Sequence, residues 1–163
     1  EQTTVAEIAE RAGLTERTFF RHFVDKREVL FEGQDALREQ FIAEVTGAPD
    51  GVRPLGAVTA ALQAAAVEFE PRRPWSQERQ RVINANPALQ ERELVKLAGV
   101  ASAIAAALRV RGMGEPAASL TAQSGMTVFH VAFGRWIAAD NTREFTQLVD
   151  ESLAALNRVI AEA

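Results

Sequence analysis

Residues 3–26, TTVAEIAERAGLTERTFFRHFVDK, contain two short helical patterns separated by a turn. Thr4 and Glu7 are spaced as a capping box, in which the threonine hydroxyl accepts the N–H of the glutamate and the carboxylate accepts the N–H of the threonine. Gly13 is suited to the left-handed conformation that ends a helix, and Thr15 is placed to cap the next one. Two helices joined by about three residues that include a glycine form a helix-turn-helix arrangement.

The second of these helices carries an excess of positive charge. Residues 17–27 contain four basic residues and one acidic residue, a net charge of +3. In a helix-turn-helix protein the second helix enters the major groove with its first residues at the base edges. Arginine pairs with guanine in bidentate fashion, and hydroxyl and ammonium groups bind phosphate. The candidate DNA-binding residues are Thr4, Thr15, Glu16, Arg17, Thr18, Arg21, His22 and Lys26.

Several of these side chains have a plainer interpretation. Arg17, Arg21 and Lys26 are either contacts to DNA or solvated surface charges, and their setting in this motif favours contact. Glu16 either makes no contact with DNA or contributes to specificity by repelling phosphate. The same segment contains three phenylalanines, Phe19, Phe20 and Phe23. They either stack on bases or form the hydrophobic interior of the helix-turn-helix unit, and helical spacing among apolar neighbours favours the interior.

The rest of the chain predicts six further helices and no strand. Apolar residues recur at helical spacing, no stretch alternates with period two, and prolines and glycines separate the segments. Alanine, the strongest helix former, occurs 30 times in 163 residues. The expected fold is therefore all-α. The six helices are placed at about residues 25–45, 54–69, 75–85, 94–111, 116–139 and 145–159, after the two of the opening motif.

Composition excludes several classes of function. The chain has no cysteine, no glycine-rich phosphate loop and no HExxH motif, so we expect no enzyme activity, no metal and no cofactor. No apolar run reaches the ~18 residues of a membrane span, and we expect a cytoplasmic protein with no membrane partner. The net charge of −4 by itself disfavours nucleic acid, but it averages the +3 segment with an acidic remainder.

The segment between residues 126 and 137 is apolar on nearly all sides of its predicted helix. A surface helix exposes one polar face, so this one has to be covered on both faces, by a partner subunit or by a ligand as well as by the chain itself. His130 within it is either a hydrogen-bonded core residue or a ligand contact. The candidate ligand-binding residues are Phe69, Trp75, Arg79, Met126, Phe129, His130 and Phe133.

Residues 3–26 resemble the DNA-binding region of regulators of the tetracycline-repressor (TetR) type. Thr4 with Ile8-Ala9, then Ala12-Gly13-Leu14, then Thr18 with Phe23 and Lys26 carry the resemblance. It implies a homodimeric transcriptional regulator with a helix-turn-helix reading head in residues 1–31 and a ligand-sensing and dimerisation body in residues 32–163. It also implies an operator as partner, dimerisation through the last two helices, and a first family helix located before Glu1.

The later part of the chain is similar to regulators related to the mycofactocin-type repressor, through residues 78–81, 86–89, 111–112 and Trp136. Phe20 departs from the family pattern, because many relatives have a tyrosine there whose hydroxyl touches a phosphate. The expected function is a repressor released from its operator by a small molecule. The alternatives are a helical ligand-binding or interaction protein without DNA binding, and a small helical enzyme with a polar, water-accessible cluster of titratable groups.

Overall fold

The computed structural model describes residues 3–162, which form eight α-helices, two 3-10 turns and no strand. The all-α prediction is confirmed for this range. The 3-10 turns cover Glu28–Phe31 and Glu70–Arg72. The helices are α1 (Val5–Arg11), α2 (Glu16–His22), α3 (Gln34–Gly47), α4 (Pro54–Phe69), α5 (Arg73–Asn84), α6 (Pro87–Val110), α7 (Ala117–Trp136) and α8 (Phe145–Ala161).

The chain divides into two compact units. The first ends at Asp35 and contains α1, α2 and the first 3-10 turn; the second begins at Ala36 and contains the remaining helices. The division falls inside α3, a few residues after the boundary at 31–32 that the sequence predicts.

The prediction of one continuous helix from residue 25 to residue 45 is wrong. The carboxylate of Asp25 accepts two backbone N–H groups at 2.8 and 3.1 Å, which opens only the 3-10 turn Glu28–Phe31. Gly33 then has a φ of +85°, the left-handed conformation that interrupts a right-handed helix and that glycine adopts without steric cost. The α-helix therefore starts at Gln34.

The core of the second unit lies between α4, α7 and α8, with α6 packed on α7 and α5 packed on α6. The buried face of α4 consists mostly of alanine, which lets neighbouring helices approach closely. Gly125 of α7 marks the tightest approach, because a Cβ atom added there would lie 2.4 Å from Cγ1 of Val58 on α4. Small side chains at this crossing set the distance between the two helices.

Helix α7 is packed on one face and open on the other within a single chain. Phe129 and Trp136 are buried, and both belong to the core. Val131 is 47% exposed and Leu120 is more exposed still. Within residues 126–137 the open face carries Thr127, His130 and Arg135 beside Val131, so it is mixed in character and less apolar than the sequence predicts.

The apolar stripe of α8 leaves the core toward the end of the helix. Phe145, Leu148 and Val149 are buried, whereas Val159 and Ile160 near the end of the helix are exposed. Leu153 and Leu156 between them are partly buried against the core, so the helix leaves the core only in its last turn. Among residues 3–162, no helix is long and apolar enough to cross a membrane.

Candidate nucleic-acid interface and ligand-sensing core

The capping box at the start of α1 is present in both directions. The N–H of Glu7 donates to the hydroxyl of Thr4 at 3.2 Å, and the N–H of Thr4 donates to a carboxylate oxygen of Glu7 at 2.7 Å. These hydrogen bonds from Thr4, and to a lesser degree the positive charge of Lys26, lower the pKa of Glu7 from its ordinary value. The charged carboxylate therefore fixes the first turn of α1.

A short turn reverses the chain between α1 and α2. Gly13 has a φ of +67°, and the N–H of Leu14 donates to the carbonyl of Ala9 at 2.8 Å, a bond that closes the end of α1. Thr15 caps α2 by accepting the N–H of Thr18 at 3.2 Å, and the two threonine hydroxyls lie 3.0 Å apart. The helix-turn-helix prediction matches this local geometry.

The two faces of α2 differ in chemistry. Phe19 is buried and contacts the half-buried Phe23, with ring centroids 5.1 Å apart. The opposite face is exposed and carries Arg17 and Arg21, which make no hydrogen bond or ion pair within residues 3–162. Two guanidinium groups held at the surface by a packed helix are available to an anionic partner.

The prediction that Phe20 belongs to the interior is wrong. It is 54% exposed, whereas its neighbour Phe19 is 2% exposed. Successive helical positions differ by about 100° around the axis, so Phe19 and Phe23 share one face and Phe20 lies beyond its edge.

The remaining candidate DNA-binding residues lie on the caps and flanks of α2. Lys26 is half-buried, and its ammonium donates to the carbonyl of Thr3 at 2.8 Å, which joins the segment after α2 to the start of α1. Thr18 is half-buried through its contact with Thr15, and the other candidates are exposed: Thr4, Thr15, Glu16, Arg17, Arg21 and His22.

Five aromatic rings form one cluster inside the second unit, between α4, α7 and α8. Phe69 lies 6.1–6.4 Å from each of the other four ring centroids, and Trp136 stacks on Phe145 at 4.8 Å. The cluster brings together three predicted ligand contacts, Phe69, Phe129 and Phe133, and Met126 belongs to the same core. Phe145 was missed as a member, because it lies 76 residues from Phe69 in the chain and no local pattern joins them.

Glu70 links the corner between α4 and α5 to the start of α8. One carboxylate oxygen accepts the N–H of Phe145 at 2.8 Å, and the other accepts the indole N–H of Trp136 at 3.3 Å. Arg73 and Gln77 donate to backbone carbonyls of the segment between α7 and α8 at 2.6–2.9 Å. These hydrogen bonds tie the corner between α4 and α5 to Trp136 of the aromatic cluster and to the α7–α8 connection.

The other predicted ligand contacts lie outside the cluster. Arg79 on α5 forms an ion pair with Glu93 on α6 at 2.8 Å, with side chains only 10% and 18% exposed. Trp75 is 51% exposed. His130 was expected among Met126, Phe129 and Phe133, but it is exposed, because those residues follow the i, i+3, i+7 stripe of α7 and His130 lies off it.

A cleft of about 550 Å³ lies elsewhere in the second unit, between the end of α3 and the end of α6. Leu108 and Met113 form part of its wall, and Asp50 and Arg111 are its charged groups. Arg111 is already engaged, since its guanidinium donates to the carbonyls of Ala48 and Pro49. Across residues 3–162, no group of three or more His, Asp or Glu side chains is arranged to hold a metal ion.

A helix-turn-helix with an exposed basic second helix, joined to a larger helical unit with an aromatic core, is the architecture of a helical DNA-binding regulator. Family comparison agrees. Residues 1–32 match the model described as bacterial regulatory proteins, tetR family, and residues 52–161 match the MftR C-terminal domain. The chain belongs to the tetR family of bacterial regulatory proteins.

Individual relatives are similar to parts or to the whole of this chain. The chain is 44% identical over 64 residues to the HTH-type transcriptional regulator TcmR of Streptomyces glaucescens; the match covers 39% of this chain and 28% of that protein's length. Its fold is similar to that of FadR from Thermus thermophilus, a TetR family repressor solved in complex with lauroyl-CoA (TM-score 0.59, 20% identity, 95% of this chain and 83% of that one). PfmR, a TetR family regulator also from Thermus thermophilus, matches at TM-score 0.48 and 21% identity, over 90% of this chain and 83% of that one.

Proposed function

We propose that this chain is a homodimeric, sequence-specific DNA-binding repressor that a small molecule releases from its operator. The observation that carries the proposal is the exposed face of α2, on which Arg17 and Arg21 have no partner within residues 3–162. Arginines without a partner contribute little to the stability of the fold. Bidentate pairing of a guanidinium group with guanine would contribute both affinity and specificity to DNA binding.

The roles on this face follow from side-chain chemistry. Arg17, in the first turn of α2, reads a base edge; Arg21, one turn later, binds a phosphate or a second base. Thr4, Thr15, Thr18 and Lys26 bind phosphates and so fix the register of the helix in the groove. The negative charge of Glu16 disfavours a phosphate next to it. His22 is the last residue of the same helix. Both residues are included in the proposed DNA-binding surface.

We propose that the uncovered faces of α7 and α8 form the homodimer interface. Leu120, Val131, Val159 and Ile160 are exposed large apolar residues on these two helices. Two copies that pack these faces together bury this surface in one four-helix contact. Dimers of this kind place two reading heads on successive major grooves, about 34–36 Å apart.

We place the effector at the aromatic cluster. Phe69, Met126, Phe129 and Phe133 offer an apolar environment, and Glu70 joins this cluster to the start of α8. A bound molecule has to favour the state that does not bind DNA, because only differential affinity shifts the equilibrium. The surface positions of Trp75 and His130, and the ion pair of Arg79, do not support an interior contact for these three residues. The proposed effector-binding residues are therefore those of the aromatic cluster together with Met126.

The proposed regulator acts by binding alone and works in the cytoplasm. Among residues 3–162 the buried polar residues are Ser76 and Ser152, neither of them titratable, and apolar side chains make up the rest of the buried set. This composition favours a binding role over the alternative of a small helical enzyme.

The test begins by selecting duplexes from a random library with the wild-type protein. Affinity for the selected duplex is then measured by fluorescence anisotropy for wild type, for the double variant Arg17→Ala/Arg21→Ala, and for Arg53→Ala. Arg53 is an exposed arginine of the second unit, so its variant is a control for loss of a positive charge.

We expect the double variant to lose at least ~100-fold in affinity and Arg53→Ala to lose less than about threefold. Failure to select any sequence, together with affinity that does not depend on salt, would establish the alternative of a helical binding protein without DNA function. A screen for small molecules that release the operator from wild type, repeated with Phe129→Ala, tests the effector site. Equal release from both proteins places the effector outside the cluster.

A further inference from the structure

Phe20 is the one large apolar side chain on the exposed face of α2. Two of the three phenylalanines of residues 19–23 serve the interior, but Phe20 is 54% exposed. Its ring stands edge-on against Phe19, with centroids 5.5 Å apart and an interplanar angle of 87°. One side of the Phe20 ring therefore packs on a buried neighbour, and the rest of the ring faces solvent.

The neighbours of Phe20 identify the partner that this ring suits. Arg17 and Arg21 are exposed three residues before and one residue after it, and Glu16 is exposed four residues before it. The two arginines outweigh the one carboxylate, so the charge around the ring is mixed with a net value of +1. An apolar protein surface would have to desolvate both guanidinium groups without compensation. A major groove offers phosphates and guanine edges to the arginines and, at each thymine, a methyl group to an apolar side chain.

We propose that Phe20 reads thymine by packing its ring on the 5-methyl group of one thymine in each operator half-site. A phenylalanine has no hydrogen-bonding group, so it discriminates by shape and apolar contact alone, and among the four bases only thymine presents a methyl group in the major groove. This assignment rests on the proposed function and adds to it a specificity-determining residue and the base that this residue recognises.

The experiment uses the duplex selected by wild-type protein and replaces its thymines with deoxyuridine, one symmetry-related pair at a time. Deoxyuridine pairs like thymidine and lacks only the methyl group. Affinities of wild type, Phe20→Ala and Phe20→Leu are measured on each duplex at one salt concentration. Because the Phe20 ring packs on Phe19, Phe20→Ala is expected to lose about 0.5–1.5 kcal/mol of stability, so urea midpoints are measured alongside and affinities are compared where each variant is folded.

At one thymine pair we expect wild type to lose about fourfold in affinity per methyl group, or roughly 15-fold when both half-sites are replaced, from the transfer of one methyl-sized group per site. Phe20→Ala should bind the thymine duplex more weakly and show no further loss at that pair. Phe20→Leu, which keeps an apolar side chain, should retain part of the effect.

Two results overturn the assignment. If deoxyuridine weakens wild type and Phe20→Ala equally at every position, or weakens neither, the ring does not contact a thymine methyl group, while the DNA-binding function stands. If wild type selects no duplex at all, the proposed function fails and the role of Phe20 fails with it. The selection step thus separates the two failures.

Discussion

The contact between Gly125 and Val58 gives a prediction whose magnitude follows from the structure. An alanine Cβ at position 125 would lie 2.4 Å from Cγ1 of Val58, well inside van der Waals contact. Val58 is fully buried, and valine is stiff at χ1, so its methyl group cannot rotate away freely. Overpacking of this kind costs about 1–3 kcal/mol, and the better helix propensity of alanine returns about 1 kcal/mol.

The variant Gly125→Ala should therefore lower the free energy of unfolding by about 1 kcal/mol and by no more than about 2 kcal/mol. Gly99→Ala on α6 is the matched control. Gly99 is an exposed helical glycine with no atom within 4 Å of an added Cβ, so its replacement should raise stability by about 0.5–1 kcal/mol. The difference between the two variants isolates the packing term, because both gain the same propensity.

Urea unfolding at one protein concentration measures both variants, since unfolding of a dimer depends on concentration. In the Gly125→Ala background, Val58→Ala should cost less than it costs in wild type, because the added methyl group fills part of the space that the valine vacates. An increase in stability for Gly125→Ala as large as that for Gly99→Ala would refute the reasoning.

Three further predictions concern the polar contacts. Glu70→Gln weakens the carboxylate cap at the start of α8 and should lower the free energy of unfolding by about 1–2 kcal/mol, seen as a lower urea midpoint at unchanged slope. Arg79→Met removes the ion-pair partner of Glu93, which keeps a hydrogen bond from Gln80, and should cost about 1–3 kcal/mol; Arg79→Met combined with Glu93→Leu should lose less than the sum of the two single losses, and additive losses would show that the pair is not coupled. The hydrogen bonds that lower the pKa of Glu7 stabilise α1 fully above the ordinary glutamate value of 4.5 and are lost as pH falls through the lowered pKa. Urea midpoints of wild type and Glu7→Gln should therefore converge as pH falls below 4.5, and a difference that stays constant on acidification would contradict the capping role.

Sequence reasoning predicted the helices where local signals determine them. The caps at Thr4 and Thr15 and the left-handed Gly13 act within a few residues, and the structure has each of them in place. Gly33 was missed because the apolar spacing on either side of it continues in helical phase, and one glycine inside a periodic pattern does not reveal its φ. Helix ends are predicted best from sequence when a capping side chain and a helix-ending glycine both lie next to the apolar repeat, as at Thr4, Gly13 and Thr15.

The aromatic cluster was predicted only in part, since its contacts are long-range. Composition showed that the helix containing Phe129 is too apolar for one exposed face, but no periodicity shows that Glu70 caps a helix that starts 75 residues later. The exposed position of Phe20 was missed for a related reason. Apolar character predicts burial, and only packing shows that Phe19 already occupies the interior position.

The central claim is that α2 reads base sequence through Arg17. The most direct test measures, at fixed salt, the affinity of wild type and of Arg17→Ala for the selected operator and for each of its single base-pair substitutions. We expect wild type to lose about 5- to 150-fold at one G·C pair per half-site and Arg17→Ala to lose discrimination at that pair alone, with its urea midpoint and dimer mass unchanged. Unchanged discrimination by Arg17→Ala at every position would contradict the account.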